Sequence, residues 1–341
     1  MLAYVLRRYG RPEGSSLMEV PVPKPASRQL LVRVRAAGLN PVDFKTRMGD
    51  VRLRLVQPYR LPVVLGNELA AEVIACGDEV QRFRIGDRVF ARVDKDRMGA
   101  FAQFAVVEED HAAVIPASLD FATAAAVPLA GLTALQALRD ELLVASGQRI
   151  FIFGGAGGVG SFAIQIAKHL GAQVATTASP RGEALVRQLG AAMVIDYTQE
   201  RPASVLSGFD GAFDLIGGDT LEQAFAIVRP GATVVSVAGI AEPQTASKDM
   251  GRGLGWQALF WIASFSLRRR AGQRGGRYRF LYMHPSGKDL SDLGRLVDAG
   301  AVKVILDSVY PFERIADAVA KLETGRAKGK IVVTMPDGSG G

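Results

Sequence analysis

From residue 149 onward the apolar positions switch repeatedly between two spacings. "RIFIF" (149–153) is a short continuous apolar run, as a strand buried on both faces requires. After a glycine cluster, Ala163, Ile166, Ala167 and Leu170 recur at i, i+3, i+4 and i+7, one stripe of a helix. The same reading predicts strands over 149–153, 173–178, 193–196, 212–216 and 232–238, with helices over 158–170, 182–189 and 220–228. Strands alternating with helices call for a parallel sheet covered by helices on both faces. Two later helical stripes, Leu290–Leu293–Val297 and Ile315–Ala318–Val319–Leu322, precede a last strand in "GKIVVTM".

The first hundred residues are patterned differently. "LLVRVRAAGL", "VVLGNELAAEVIACGDEV" and "RIGDRVFARV" are short strand-like runs broken by glycine turns, which suggests a barrel-like β domain. The pattern changes near residue 120, where "DFATAAAVPLAGLTALQAL" is rich in alanine and leucine and reads as helical. With 341 residues the chain is long enough for about two domains.

The glycine cluster carries the first chemical signal. Gly155, Gly157 and Gly160, with Ala156, Gly158 and Val159 between them, satisfy G-x-G-x-x-G after a strand and at the opening of a helix. Side chains there would keep a pyrophosphate from the backbone, and a helix N-terminus supplies free N–H groups and partial positive charge. A site for NAD places an acid about 20 residues further on, against the ribose 2′-hydroxyl. Here the second strand ends in Thr176, Thr177 and Ser179, then Arg181, with no carboxylate before Glu183. Hydroxyls and a guanidinium suit a 2′-phosphate, so NADP(H) is the expected cofactor.

Composition narrows the class. Hydrophobic residues make up 48% of the chain, enough for sizeable cores. The run "ALFWIASFSL" (258–267) is too short to span a bilayer. One cysteine, Cys76, excludes an internal disulfide framework and fits a reducing compartment. The N-terminus lacks a signal-peptide core, so a soluble cytoplasmic protein is expected. His111, His169 and His284 are far apart, with no pairing at ligand spacing, so no metal is expected. The net charge of +7 comes from dispersed basic residues, except at 268–279, "RRRAGQRGGRYR". The segment 251–279 reads as a helix over the site or in a dimer interface. Peripheral membrane contact through 254–279 is the sharper alternative. Its arginines interleaved with aromatics suit single-stranded RNA, but no RNA-binding motif accompanies them, so nucleic acid is not expected as the main partner. The tail "PDGSGG" is expected to fray.

Several motifs together carry a resemblance over nearly the whole chain: "GLNPVDFKTRMG", "GNELAAEVIACGDEVQRFRIGDRVFA", "VPLAGLTAL", "GAGGVGSFAIQIAKHLGA" and "YPFERIADAVAKLETGRAKGKIVV". The sequence resembles the medium-chain dehydrogenase/reductase superfamily, in its zinc-free, quinone-oxidoreductase-like branch. Within that branch it is similar to the zeta-crystallin, plant alkenal/enone reductase and reticulon-interacting mitochondrial groups. The resemblance implies an α/β fold: a GroES-like β-barrel catalytic domain over 1–120 and 308–341, and a doubly wound Rossmann domain over 121–307. It implies a homodimer joined through the Rossmann sheets. It places Asn40 near the nicotinamide, Thr133 at the cofactor phosphate or nicotinamide, Ala238 and Gly239 beneath the ring, Tyr197 near the adenosine phosphate, and Lys330 as a further cofactor contact. Zinc-using relatives carry a cysteine where this chain has Asn40 and a histidine where it has Asn67. Their four-cysteine structural lobe has no counterpart.

Without a zinc Lewis acid, alcohol oxidation is disfavoured, and no G-x-S-x-G elbow or Cys–His signature supports hydrolysis. The chemistry that remains is hydride delivery to an electron-poor carbon: a quinone or an α,β-unsaturated carbonyl, with an enoyl thioester as the alternative. The oxygen that gains charge needs a donor. Asn40 is the first candidate and Lys45, at a place where some relatives carry a tyrosine, the second. Tyr59 in "QPYRLP" is the substitute for that tyrosine.

Overall fold

A computed structural model describes residues 1–336. The expected fraying of the tail therefore concerns residues almost wholly outside those described. The chain divides into two compact units. One comprises Met1–Leu132, Pro285–Gly300 and the segment from Val304 onward; the other comprises Thr133–His284 and Ala301–Lys303.

The first unit opens with β1 (Leu2–Leu6), β2 (Ser15–Glu19), β3 (Gln29–Leu39), α1 (Pro41–Met48), α2 (Val51–Val56), β4 (Val63–Val64), β5 (Glu68–Cys76), β6 (Arg88–Arg92), β7 (Phe104–Glu108) and β8 (Ala112–Val114). Then come α3 (Phe121–Ala124) and α4 (Pro128–Leu135). The second unit holds β9 (Arg149–Phe153), α5 (Gly158–His169), β10 (Gln173–Ala178), α6 (Pro180–Leu189), β11 (Met193–Asp196), α7 (Pro202–Val205), β12 (Phe209–Asp214), α8 (Asp219–Ile227), β13 (Val228–Ser236), α9 (Leu254–Gln273) and β14 (Arg277–Phe280). The chain returns to the first unit with α10 (Gly287–Asp298), β15 (Leu306–Pro311), α11 (Ile315–Glu323) and β16 (Lys330–Thr334).

In the first unit the main sheet runs β15-β16-β3-β5-β6-β8, with β7 also on β3. The long strand β3 pairs with β7, β5 and β16, and its register against β5 shifts twice, at Leu31/Val32 and Val34/Ala36. Such irregularities bend a strand and let a sheet curl. Leu30, Val32, Val34, Leu69, Ala71, Val89, Phe101, Phe312, Ile331 and Val333 fill the interior. The register brings the end of β3 beside the starts of β5 and β16: Gly38 lies opposite Glu68, and Leu39 opposite Ile331.

The second unit is a six-stranded parallel sheet in the order β11-β10-β9-β12-β13-β14. This is the doubly wound order 3-2-1-4-5-6, whose direction reverses between β9 and β12. Phe151, Phe153, Phe209 and Phe225 pack its core, with Phe151 and Phe209 edge to face at 5.4 Å.

The fold class is the expected one, and several boundaries differ. β12 begins at Phe209, because that phenylalanine pairs with Val228 across a register shift. The helix expected from 182 begins at Pro180, which occupies the first turn after Ser179 and has no N–H to satisfy. Residues 121–132, 285–300 and 304–307, expected in the second domain, group with the first unit: α3 packs on β3 and β5, and α10 on β8.

Candidate functional site

β9 delivers the chain to Gly154, whose φ of +87° is a left-handed conformation natural to glycine. The three signature glycines then serve different ends. A Cβ on Gly155 would lie 2.2 Å from Thr176 Oγ1, and one on Gly160 would lie 2.2 Å from the Gly154 carbonyl oxygen. These two are required by packing of the turn against β10 and α5. A Cβ on Gly157 would meet nothing nearer than 3.5 Å. Gly157 caps α5 without any side-chain bond, so the amides of Gly158, Val159 and Gly160 start a helix with no acceptor of their own. The missing side chain at Gly157 therefore keeps open the approach to those amides, and the turn fits a pyrophosphate.

The end of β10 corrects one expectation. Thr176 and Thr177 are both buried. The Thr176 hydroxyl donates to the Ile152 carbonyl at 2.6 Å, and Thr177 Oγ1 accepts from the Gly154 amide at 2.9 Å. They fasten β10 to the glycine turn instead of facing a phosphate. Ser179, half-buried at the cap of α6, and Arg181, exposed in its first turn, are left at the surface. A Cβ on Gly182 would sit 3.0 Å from the Ala156 methyl, so this turn of α6 lies directly against the glycine turn. The next acid along the chain, Glu183, pairs with Arg187 one turn along at 2.8 Å.

Tyr197, just past β11, is exposed. Thr133 is buried in α4. Ala238 and Gly239 follow β13, and their backbone is tightly held. The Ala238 amide donates to Ser236 Oγ at 3.1 Å, and Ser236 Oγ donates to Asp214 Oδ2 at 2.8 Å. Buried Asp214 also accepts from the amides of Ile216 and Gly217 and from the Thr220 hydroxyl. A Cβ on Gly239 would fall 2.2 Å from the Tyr278 hydroxyl, and one on Gly217 would fall 2.6 Å from the Ala238 oxygen. Asp214 thus ties the loop after β12 to the loop after β13. Its signal in the sequence is slight: one acid closing an apolar strand before "LIGGDT".

A second hub lies beyond β13. The Arg279 guanidinium, buried on β14, binds Glu141 at 2.9 Å, Glu242 at 3.0 Å and Asp249. Lys248 joins Glu141 at 2.7 Å. The hydrogen bonds and charges of Arg279 and Lys248 hold the Glu141 carboxyl below its usual range against the opposing effect of burial. The network clamps the π-helical turns 136–141 and 245–249 to β14. Sequence reading missed it because its acids are scattered over a hundred residues.

In the first unit Asn40, Asp43, Asn67, Glu68 and Lys330 are all buried together. The Lys330 ammonium donates to Glu68 Oε1 at 2.6 Å, to the Leu39 carbonyl at 2.8 Å and to Asn40 Oδ1. Asn40 Nδ2 donates to Glu68 Oε1 at 2.7 Å, and the Leu129 amide donates to Glu68 Oε2 at 2.6 Å. Asp43 accepts from the Asn40 amide at 2.7 Å and from Asn67 Nδ2 at 2.5 Å. Burial lifts the Asp43 carboxyl to about 6, against the opposing pull of these two hydrogen bonds. Gly38 makes room: a Cβ there would lie 2.5 Å from Glu68 Oε1.

This cluster changes the roles expected of three residues. Asn40 is not an open donor, since its amide is committed to Glu68 and its oxygen to Lys330. Lys330 is not surface-directed toward a cofactor; it neutralises Glu68 in the interior. Tyr59 donates its hydroxyl to the Lys95 carbonyl at 2.7 Å, so it is a loop fastener. Lys45 is exposed on α1, outside the cluster. Zinc does not fit here. The carboxamides of Asn40 and Asn67 turn N–H donors toward the carboxylates, and an ammonium occupies the remaining acceptors. Among the described residues no three His, Cys, Asp or Glu side chains are grouped to hold a metal.

Comparison with known proteins returns two family models. Residues 26–117 match the alcohol dehydrogenase GroES-like domain, and residues 189–333 match a family described as zinc-binding dehydrogenase. The chain is 32% identical to the mitochondrial NAD(P)H oxidoreductase RTN4IP1 of Danio rerio, over 98% of this chain and 91% of that one. It is 34% identical to the chloroplastic NADPH-dependent alkenal/one oxidoreductase of Arabidopsis thaliana, over 98% and 79%. The quinone oxidoreductase from Coxiella burnetii superposes with a TM-score of 0.85 at 31% identity, covering 98% of this chain and 99% of that one.

Proposed function

Because the chain belongs to the zinc-independent quinone oxidoreductase and alkenal/one reductase branch of the medium-chain dehydrogenase/reductase family, we propose that it reduces α,β-unsaturated carbonyl compounds or quinones with NADPH. It is an NADP(H)-dependent oxidoreductase. The observation that carries the choice of cofactor is the pairing of an open Gly157 with an acid-free end of β10.

The first-turn amides of α5 would hold the pyrophosphate. Ser179 and Arg181 would hold the 2′-phosphate, Arg181 as a charge-assisted donor. Tyr197 is an exposed flanking surface for the adenosine end. When bound, the dihydronicotinamide supplies the hydride. The residues of this chain bind and orient. Asp214 fixes the backbone of Ala238 and Gly239 through Ser236. Asn40, held by Glu68 and Lys330, fixes the start of α1, which makes it a positioning residue. Lys45 is the one expected donor whose head group is outside these locks. We also read the chain as a homodimer. The outer edge of β14 has no partner strand among the described residues, and an unpaired edge is a template for a second copy.

The test is NADPH oxidation against a panel of quinones, short and long enones, and enoyl thioesters. Turnover is expected with an enone or a quinone. Turnover confined to enoyl thioesters, or none with any acceptor, would overturn the reading.

A further inference from the structure

Three successive residues of β14 hold the loop that follows β13. The Tyr278 hydroxyl accepts from the Ile240 amide at 2.9 Å and donates to the Ile240 carbonyl at 2.8 Å. Arg279 binds Glu242 and Asp249, and the Phe280 carbonyl accepts from the Thr245 hydroxyl at 2.8 Å. Of the three, Tyr278 grips the loop closest to the end of β13. Burial pushes its phenol well above the ordinary range, so the hydroxyl stays protonated and serves as donor and acceptor at once. Its ring packs edge to face on Phe225 at 6.0 Å. Gly239 shows how closely the hydroxyl is fitted. No left-handed backbone demands a glycine there. A Cβ on Gly239 would lie 2.2 Å from the Tyr278 hydroxyl, whereas its next neighbours, on Leu221 and Ser236, are 3.3 Å away. One oxygen atom is therefore what excludes a side chain. A phenylalanine at 278 would fill the same core beside Phe225 and leave room for a methyl at 239.

We propose that Tyr278 is a positioning residue for the redox end of the cofactor: its hydroxyl sets the Gly239–Ile240 backbone against which the nicotinamide ring rests. The proposal depends on reading the chain as an NADPH-dependent reductase. A doubly wound sheet receives a dinucleotide along the carboxyl ends of its strands, one half on each side of the point where strand order reverses. The glycine turn for the pyrophosphate follows β9, and the acid-free end of β10 takes the adenosine half. The nicotinamide half then falls to the ends of β12 and β13, at the loop that Tyr278 holds. Hydride transfer is sensitive to misplacement on the scale of about 1 Å. A backbone fixed at both polar groups of Ile240 gives the ring a stationary floor.

The test uses the full-length protein with Tyr278→Phe, with Gly239→Ala, and with both. Tyr278→Phe removes the oxygen and keeps the ring on Phe225. It should lower kcat by about tenfold or more with an acceptor that the parent turns over. Adenosine 2′,5′-bisphosphate, which lacks the nicotinamide, should bind as it does to the parent, while NADPH binds more weakly by about threefold or more. Gly239→Ala drives a methyl into the hydroxyl and should lower both kcat and the melting temperature. In the double variant that methyl meets nothing nearer than 3.3 Å, so the melting temperature should recover and kcat should stay low. A tyrosine with only a packing role predicts that activity returns with stability. Three outcomes would overturn the proposal: parent-like kcat in Tyr278→Phe, equal weakening of NADPH and the bisphosphate, or kcat that recovers together with the melting temperature. If Tyr278→Phe does not fold, Gly239→Ala is read by the same comparison, since it displaces the hydroxyl without removing the ring. A parent protein that turns over no acceptor would sink the reductase reading, and the ratio of NADPH to bisphosphate affinity would still decide the role of Tyr278.

Discussion

The glycine turn of the second unit and the Asn40 cluster of the first are built on opposite principles. The turn succeeds by leaving atoms out. Gly155 and Gly160 let backbone and strand touch, and Gly157 leaves a helix end open. The cluster succeeds by filling space with charge: Glu68, Lys330 and the two asparagines satisfy one another in the interior. The first arrangement invites a ligand and the second excludes one. In this chain the positive charge beside Glu68 is covalent, supplied by a lysine on β16, and it needs nothing from solution.

The sharpest way to break that contrast is to remove the charge. Lys330→Met leaves Glu68 buried without its partner, and such a loss costs about 3–5 kcal/mol. The melting temperature should collapse, and the paired change Glu68→Gln with Lys330→Met should recover much of it. A Lys330→Met protein as stable as the parent would show that the cluster is not a lock.

Asp43 gives the next largest effect, through pH. Its folded carboxyl titrates near 6, above its ordinary 3.8. Between those values the native state keeps a proton that the unfolded chain has lost, so this residue's stabilisation is full below about 3.8. It falls as pH rises toward 6 and is flat beyond, a change of up to about 3 kcal/mol. Denaturant titrations across that window should show wild-type stability falling relative to Asp43→Asn as pH rises, with that slope. Parallel curves would remove the assignment.

A smaller effect separates the glycines from one another. Gly155→Ala forces a methyl into Thr176 and should cost about 1–3 kcal/mol of stability. Gly157→Ala should leave stability within about 0.5–1 kcal/mol of the parent and weaken NADPH binding instead. Equal losses of stability at the two positions would mean that Gly157 also serves packing. The smallest effect is expected at the surface: Arg181→Ala should weaken NADPH by about tenfold, near 1.4 kcal/mol, and leave NADH unchanged. Isothermal titration reads both.

What the sequence disclosed follows the same division. The turn and its sheet were legible because the signal is local: apolar period, glycine spacing and the next strand all fall within thirty residues. Even so, Thr176 and Thr177 were misassigned, since a sequence shows that hydroxyls end a strand and not that the turn above consumes them. Asn40 stands out through the family resemblance, which sets it near the nicotinamide, but its hydrogen-bond partners are not legible from that. Its partners come from residues 68 and 330, and only the curled register of β3, β5 and β16 unites them. In the sequence Arg279 is one of a basic run, and its three buried acids are invisible there for the same reason.

The central claim is that an open glycine turn beside an acid-free strand end selects the phosphorylated cofactor. Dissociation constants for NADPH and NADH, measured calorimetrically on one preparation of the intact protein, test it most directly. The account predicts NADPH binding tighter by about tenfold or more, a gap that Arg181→Ala narrows. Equal constants for the two nucleotides, or tighter binding of NADH, would contradict it.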